Sequence, residues 1–230
     1  MQPKHFSRDI AGRCLDLLTR YSGEVERGVA DDVHHGGPLT TTFLVAMATP
    51  IVVLPFERLF KVSAGQVLAD DSTIDPALEE RVSGALAHGK KFRDAPFGTG
   101  TWAKARIGLP FNLAGEWNDA VFDALALPKA LADAQDADAI TVVRLLRNAL
   151  AHGGIAYLDE DGRQAKPVVA QIAFASFKFN YDDCCNPKPE AVNLLRTTEE
   201  NFRAFVYAWA KWLRDTGIAE APATGQRSPQ

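Results

Sequence analysis

Arg147, Asn148 and His152 fall within six residues of one another, in the string Arg-Asn-Ala-Leu-Ala-His. An arginine keeps its charge at any physiological pH, and its planar fork can grip two phosphate oxygens. A histidine titrates near neutrality and can take or give a proton. Together these groups meet the needs of metal-independent phosphodiester cleavage in RNA. A base removes the proton of the ribose 2′-hydroxyl, and positive charge stabilises the phosphorane as it develops. The Asn148 amide can orient the phosphate or the imidazole.

A helix must position them. Between Asp138 and His152, the residues Ala139, Val142, Val143, Leu146, Ala149 and Leu150 recur at spacings of three and four, which predicts one apolar stripe. Thr141, Arg144, Asn148 and His152 form a second line, so Asn148 and His152 are neighbours one turn apart. Arg147 is offset around the helix, with a stem long enough to reach the same region. Gly153 and Gly154 are a stop signal, because glycine readily takes the left-handed conformation after a helix. His152 is therefore expected at the helix end.

The phrase Leu146–Gly153, with Arg147, Asn148 and His152, resembles the HEPN superfamily, whose signature is an arginine, four to six residues, then a histidine. That resemblance implies a mainly α fold, a HEPN-like helical bundle, here with a small β-hairpin after the motif helix. It implies a homodimer in which two motifs face each other, and a metal-independent endoribonuclease of toxin–antitoxin or phage-defence type. Arg147 and His152 would be the catalytic pair and Asn148 the supporting polar residue. RNA would be the substrate, and an antitoxin protein a further partner. Some relatives carry a modified tyrosine two residues after the histidine; here that position is Gly154 and the nearest tyrosine is Tyr157, which argues against that branch.

Blander readings compete. His152 can simply favour the negative end of the helix dipole, and Arg144 and Arg147 can make ordinary ion pairs. The motif would then belong to a non-catalytic binding or assembly module, or to a nucleotide or phosphate site without cleavage.

Composition sets outer limits. The chain has 230 residues, 47% hydrophobic and 23% charged, with a formal charge of −4. This suits a globular protein with a sizeable core, read as one domain over residues 1–217 with a disordered tail over 218–230. Acidity argues against a strongly basic nucleic-acid binder, but a local cationic cleft on an acidic body is sufficient for an RNA cleaver. Cys14 is isolated and Cys184–Cys185 adjacent, which is no zinc spacing and fits a reducing cytoplasm. No Walker loop, dinucleotide fingerprint or nucleophile elbow is present. Asp31, Asp32, His34 and His35 cluster in a predicted loop and are not read as a metal site. Neither metal nor cofactor is expected.

Other elements follow from periodicity. Ile10, Cys14, Leu17, Leu18 and Tyr21 predict an amphipathic first helix. Phe43–Phe56 reads as a buried helix kinked near Pro50, about fourteen residues long and too short for a bilayer, so no membrane is expected. Asp75–Pro76 opens a helix running to about Lys91. Phe202, Phe205, Val206, Trp209 and Leu213 predict a last helix, with Thr197 and Glu200 as its capping box; its aromatic face is core or dimer interface. Ile155–Leu158 and Val168–Phe177 predict short strands turning at Asp161–Gly162. Arg93–Gly115, rich in glycine and proline, reads as a surface loop. Lys90 and Lys91, with Arg144, are candidate substrate-binding cations. Lys90, Lys91, Arg93, Lys104 and Arg106, with Trp102, otherwise make a solvated charge run. Ala85–Gly89 repeats the Ala-Leu-Ala-His-Gly of the motif, and Arg81 with His88 mimics its spacing; the copy lacks the polar residue and reads as a coincidence of helix ends.

Overall fold

The computed structural model describes residues 6–28, 39–60, 84, 86–165, 168–181 and 186–216. Among these, the elements in chain order are α1 (Phe6–Arg27), α2 (Thr40–Phe60), β1 (Trp102–Gly108), α3 (Asp119–Ala126), α4 (Pro128–Gln135), α5 (Ala139–His152), β2 (Ile155–Leu158), β3 (Gln171–Tyr181), β4 (Pro187–Thr198) and α6 (Glu199–Asp215). The four strands form one antiparallel sheet in the order β1-β4-β3-β2. The mainly α, HEPN-like bundle expected from the motif is therefore corrected to a mixed fold, with helices packed on a central sheet. The expected hairpin exists, since β2 pairs with β3, but it is one half of that sheet.

Each face of the sheet has its own apolar core. Ile172, Phe174, Leu195 and Trp102 face a layer that includes Leu18, Leu44, Ile51, Leu146, Phe205 and Trp209, drawn from α1, α2, α5 and α6. Ala173, Leu194, Val192, Ala103 and Leu158 face a smaller layer with Trp117, Val121, Leu125 and Ala130, from α3, α4 and the segment before them. Alternate residues of a strand point to opposite faces, so one strand supplies both cores.

The segment read as a surface loop holds β1 and two buried aromatics, Phe97 and Trp102. Its alternation is masked because one face carries the small Ala103 and Ala105 before Ile107, while the opposite face carries Lys104 and Arg106 after the buried Trp102. β4 was not anticipated either, because Pro187 and Pro189 look like strand breakers. Both lie beyond Ala191, where pairing with β1 stops, so neither removes a bond from that pairing.

α2 runs through Pro50 and Pro55 for 21 residues, longer than the expected fourteen. By length and composition, Thr40–Glu57 could cross a membrane. In this fold Leu44, Ala48, Ile51, Val52 and Phe56 are buried in the core. Pro55 has no N–H to give the Ile51 carbonyl four residues back; the Trp209 indole Nε1 donates to that carbonyl instead, at 3.1 Å. The α6 stripe is core, with Phe202, Phe205, Val206, Trp209 and Leu213 all buried. Its cap is Thr198, whose side chain accepts from the Asn201 N–H, rather than Thr197. Thr197 is a buried strand residue whose hydroxyl donates to the Thr101 carbonyl. In α1, Cys14 and Leu18 are buried with Ala11 and Leu15, while Leu17 and Tyr21 are exposed. The Asp31–His35 cluster, Cys184–Cys185, Arg81, most of the helix expected from Asp75 and the 218–230 tail lie outside the described residues.

Candidate functional site

α5 follows its predicted limits. Ala139, Val142, Val143, Leu146, Ala149 and Leu150 are buried, and Gly153 caps the helix in the left-handed region at φ 70°. The Gly154 N–H donates to the Ala149 carbonyl, and the Gly154 carbonyl then accepts from the Ala175 N–H at 2.7 Å. This turn ties the end of α5 to β3. A Cβ at Gly154 would lie 2.3 Å from the Ala175 carbonyl oxygen, so the position admits no side chain without a backbone shift.

The second line of α5 faces a groove over the sheet. Thr141, Arg144, Leu145 and Asn148 form one wall of a cleft of about 450 Å³, and Lys104, Arg106, Ser176, Lys178 and Asn193 line it from β1, β3 and β4. Ser176 pairs with Asn193, and Asn193 with Arg106, so these three share one face of three adjacent strands. No carboxylate is among the described lining residues, and Lys104, Arg106, Arg144 and Lys178 give the cleft four cationic side chains. Burial pulls the Lys104 ammonium below its ordinary value; Asp133 opposes this, and Arg106 and Lys129 add to it.

A second cavity, of about 600 Å³, adjoins the first. It is lined by His152, Phe111, Leu113, Phe177 and Phe179, among others, and shares Asn148, Ser176, Phe177 and Phe179 with the cationic cleft. The Asn148 amide donates to the Ser176 hydroxyl at 3.2 Å where the two meet. The β3–β4 register shifts between Lys178 and Phe179, and such an irregularity re-aims side chains. Four successive residues, Ser176 to Phe179, thus line the cleft.

Arg147 lies elsewhere. Its guanidinium is ion-paired with Glu57 of α2, and its side chain is only 11% exposed. It also donates to the Asn148 side-chain oxygen at 2.6 Å. Burial lowers its hold on the proton, though an arginine stays cationic. Within one chain, then, the helix separates the motif's two ionisable members. His152 is exposed and borders the aromatic cavity, whereas Arg147 faces α2 and lines neither cavity.

The chain matches no family model, no curated protein and no solved structure.

Of the candidate cations, Arg144 lines the cleft. Lys90 and Lys91 do not. Lys91 forms an ion pair with Asp138 at 3.3 Å, and the Lys90 carbonyl accepts from the Ala139 N–H. Both therefore sit at the start of α5, roughly 20 Å along the helix from His152. Arg93 pairs with Asp136 nearby. Lys104 and Arg106, read as part of a charge run, are site residues instead. Sequence reasoning missed Ser176, Lys178, Asn193, Phe111, Phe179 and Glu57. For Lys104 with Arg106, and Ser176 with Lys178, the available signal was a polar residue at every second strand position.

Proposed function

We propose that the protein binds single-stranded RNA in the groove between α5 and the sheet and cleaves it without a metal. The observation that carries this reading is one line of α5 that sets Arg144 and Asn148 on a cationic cleft and His152 on the cavity adjoining it, with Asn148 shared by the two. An acidic chain of formal charge −4 that gathers four cationic side chains around one cleft has a local site for a polyanion.

Arg144, with Arg106, holds the phosphate, and Asn148 orients it. His152 takes the proton of the ribose 2′-hydroxyl. The 2′-oxygen bonds to phosphorus, the bond to the 5′-oxygen breaks, and that oxygen takes up a proton. The products are a 2′,3′-cyclic phosphate and a 5′-hydroxyl. A homodimer that brings two His152 rings to one phosphate supplies both the base and the acid. Arg147 acts as a positioning residue, through its bond to the Asn148 oxygen. A cytoplasmic setting, with phage defence or an antitoxin-controlled toxin as the context, belongs to the same proposal and rests on the motif's likeness to HEPN proteins.

The test is cleavage of labelled single-stranded RNA in EDTA by wild type, His152→Ala and Arg144→Ala, with end-group analysis. The expected result is cyclic-phosphate ends from wild type, a loss of at least a hundredfold in His152→Ala and a smaller loss in Arg144→Ala. Undiminished cleavage by purified His152→Ala overturns the mechanism. One observation favours a second reading, the non-catalytic module: the motif arginine is committed to Glu57 inside the protein. That reading predicts RNA binding without cleavage by any of the three proteins.

A further inference from the structure

The aromatic cavity beside His152 has no lysine or arginine among its described lining residues. Phe177 and Phe179 are 53% and 42% exposed, with ring centroids 5.9 Å apart. Large rings left open to water in a chain that buries Phe97, Phe174, Phe202 and Phe205 mark a surface kept for contact. The cavity is not isolated: both rings also line the cationic cleft, and Asn148 and Ser176 stand at the junction. A ligand that fills both must carry a flat apolar part joined through a short polar part to an anion. A nucleotide has that layout. Polar groups at the cavity support a base over an acyl chain. The Asn112 side-chain oxygen accepts from the Ala114 N–H, leaving its amide nitrogen to donate, and the exposed His152 ring lies on the same lining. An acyl chain uses neither.

We propose that this cavity is a base pocket: it takes one unpaired nucleobase against Phe177 and Phe179 while that nucleotide's phosphate lies between Arg106 and Arg144. The inference rests on the proposed placement of phosphate in the cleft, but not on cleavage. It deepens that reading by assigning the unpaired base a place of its own. The base must be unstacked to enter, so duplex RNA is excluded and loops or single strands are selected.

The test is calorimetric titration of the full chain with adenosine 5′-monophosphate, ribose 5-phosphate and octanoate. Neither phosphate has a scissile diester, so binding is read apart from catalysis. Stacking of one base on aromatic side chains predicts that adenosine 5′-monophosphate binds roughly tenfold or more tightly than ribose 5-phosphate. Phe177→Ala/Phe179→Ala should bring the two within about twofold, and Arg106→Gln/Arg144→Gln should weaken both. The phenylalanines are half-exposed, so the aromatic variant should melt like wild type; Phe177→Tyr, which keeps a ring, should retain the preference. Equal binding of the two phosphates, no binding of either, a preference untouched by the aromatic variant, or octanoate displacing the nucleotide overturns the pocket. Base preference without RNA cleavage removes the nuclease and leaves the pocket standing; cleavage without base preference does the reverse.

Discussion

At the residue scale, the motif divides its labour. His152 is free on the surface at the end of α5, while Arg147 is held against Glu57 with little exposure. Removing one member of a buried ion pair costs about 3–5 kcal/mol when burial is complete. Glu57 retains 26% exposure, so about 2 kcal/mol is the expected loss for Arg147→Ala. In a chain of this size that lowers Tm by roughly 4–8 °C, and calorimetry should show it. His152→Ala should leave Tm within about 2 °C, because surface substitutions are usually within ±0.5 kcal/mol. An Arg147→Ala protein as stable as wild type would contradict the assignment of this side chain to packing. Gly154→Ala should destabilise by about 1–3 kcal/mol, because the added carbon meets the Ala175 carbonyl; unchanged urea midpoints would contradict that.

At the element scale, α5 was legible nearly residue for residue. It combines a strict apolar period with a glycine stop, and both signals are local. β2 was legible too, as a compact run between turn residues. β1 and β4 were not, and the reasons differ. β1 is an edge strand in which Ala103 and Ala105 alternate with Lys104 and Arg106, so its apolar contrast is weak. β4 begins with prolines tolerated only because β1 does not reach them. Pairing partners far apart in sequence decide both, and no local pattern records them. The same holds for Trp209, whose stripe position was readable but whose bond to the carbonyl left by Pro55 was not. Trp209→Phe should orphan that carbonyl and leave a void, at about 2–4 kcal/mol together; denaturant unfolding at constant m-value measures it. The start of α5 carries a pH response. The Lys91 hydrogen bond is the main cause holding the Asp138 carboxyl below its ordinary value. A carboxyl depressed in the folded state stabilises above its unfolded value, about 3.9, and that contribution disappears as pH falls through the folded value. Asp138→Asn should therefore lose less stability than wild type between about pH 4 and pH 2, as followed by Tm. Parallel curves for the two proteins would contradict this.

At the scale of the whole molecule, the sheet converts scattered cations into one site. Lys104, Arg106, Arg144 and Lys178 come from β1, α5 and β3, and only the strand order brings them round one cleft. The sequence showed a chain too acidic for a general nucleic-acid binder and left room for a local basic cleft. Where that cleft lies depends on the antiparallel register, which explains why Arg144 was anticipated from its helix line and Lys178 was not. The most direct test of the central claim is the salt dependence of single-stranded RNA binding by wild type and by Arg106→Gln/Arg144→Gln. Each phosphate contact to a single strand contributes about 0.7 to the slope of log K against log salt. Loss of two contacts should flatten that slope by about 1.4 and weaken binding at low salt most. The same affinity and the same slope in both proteins would contradict the groove as the RNA site.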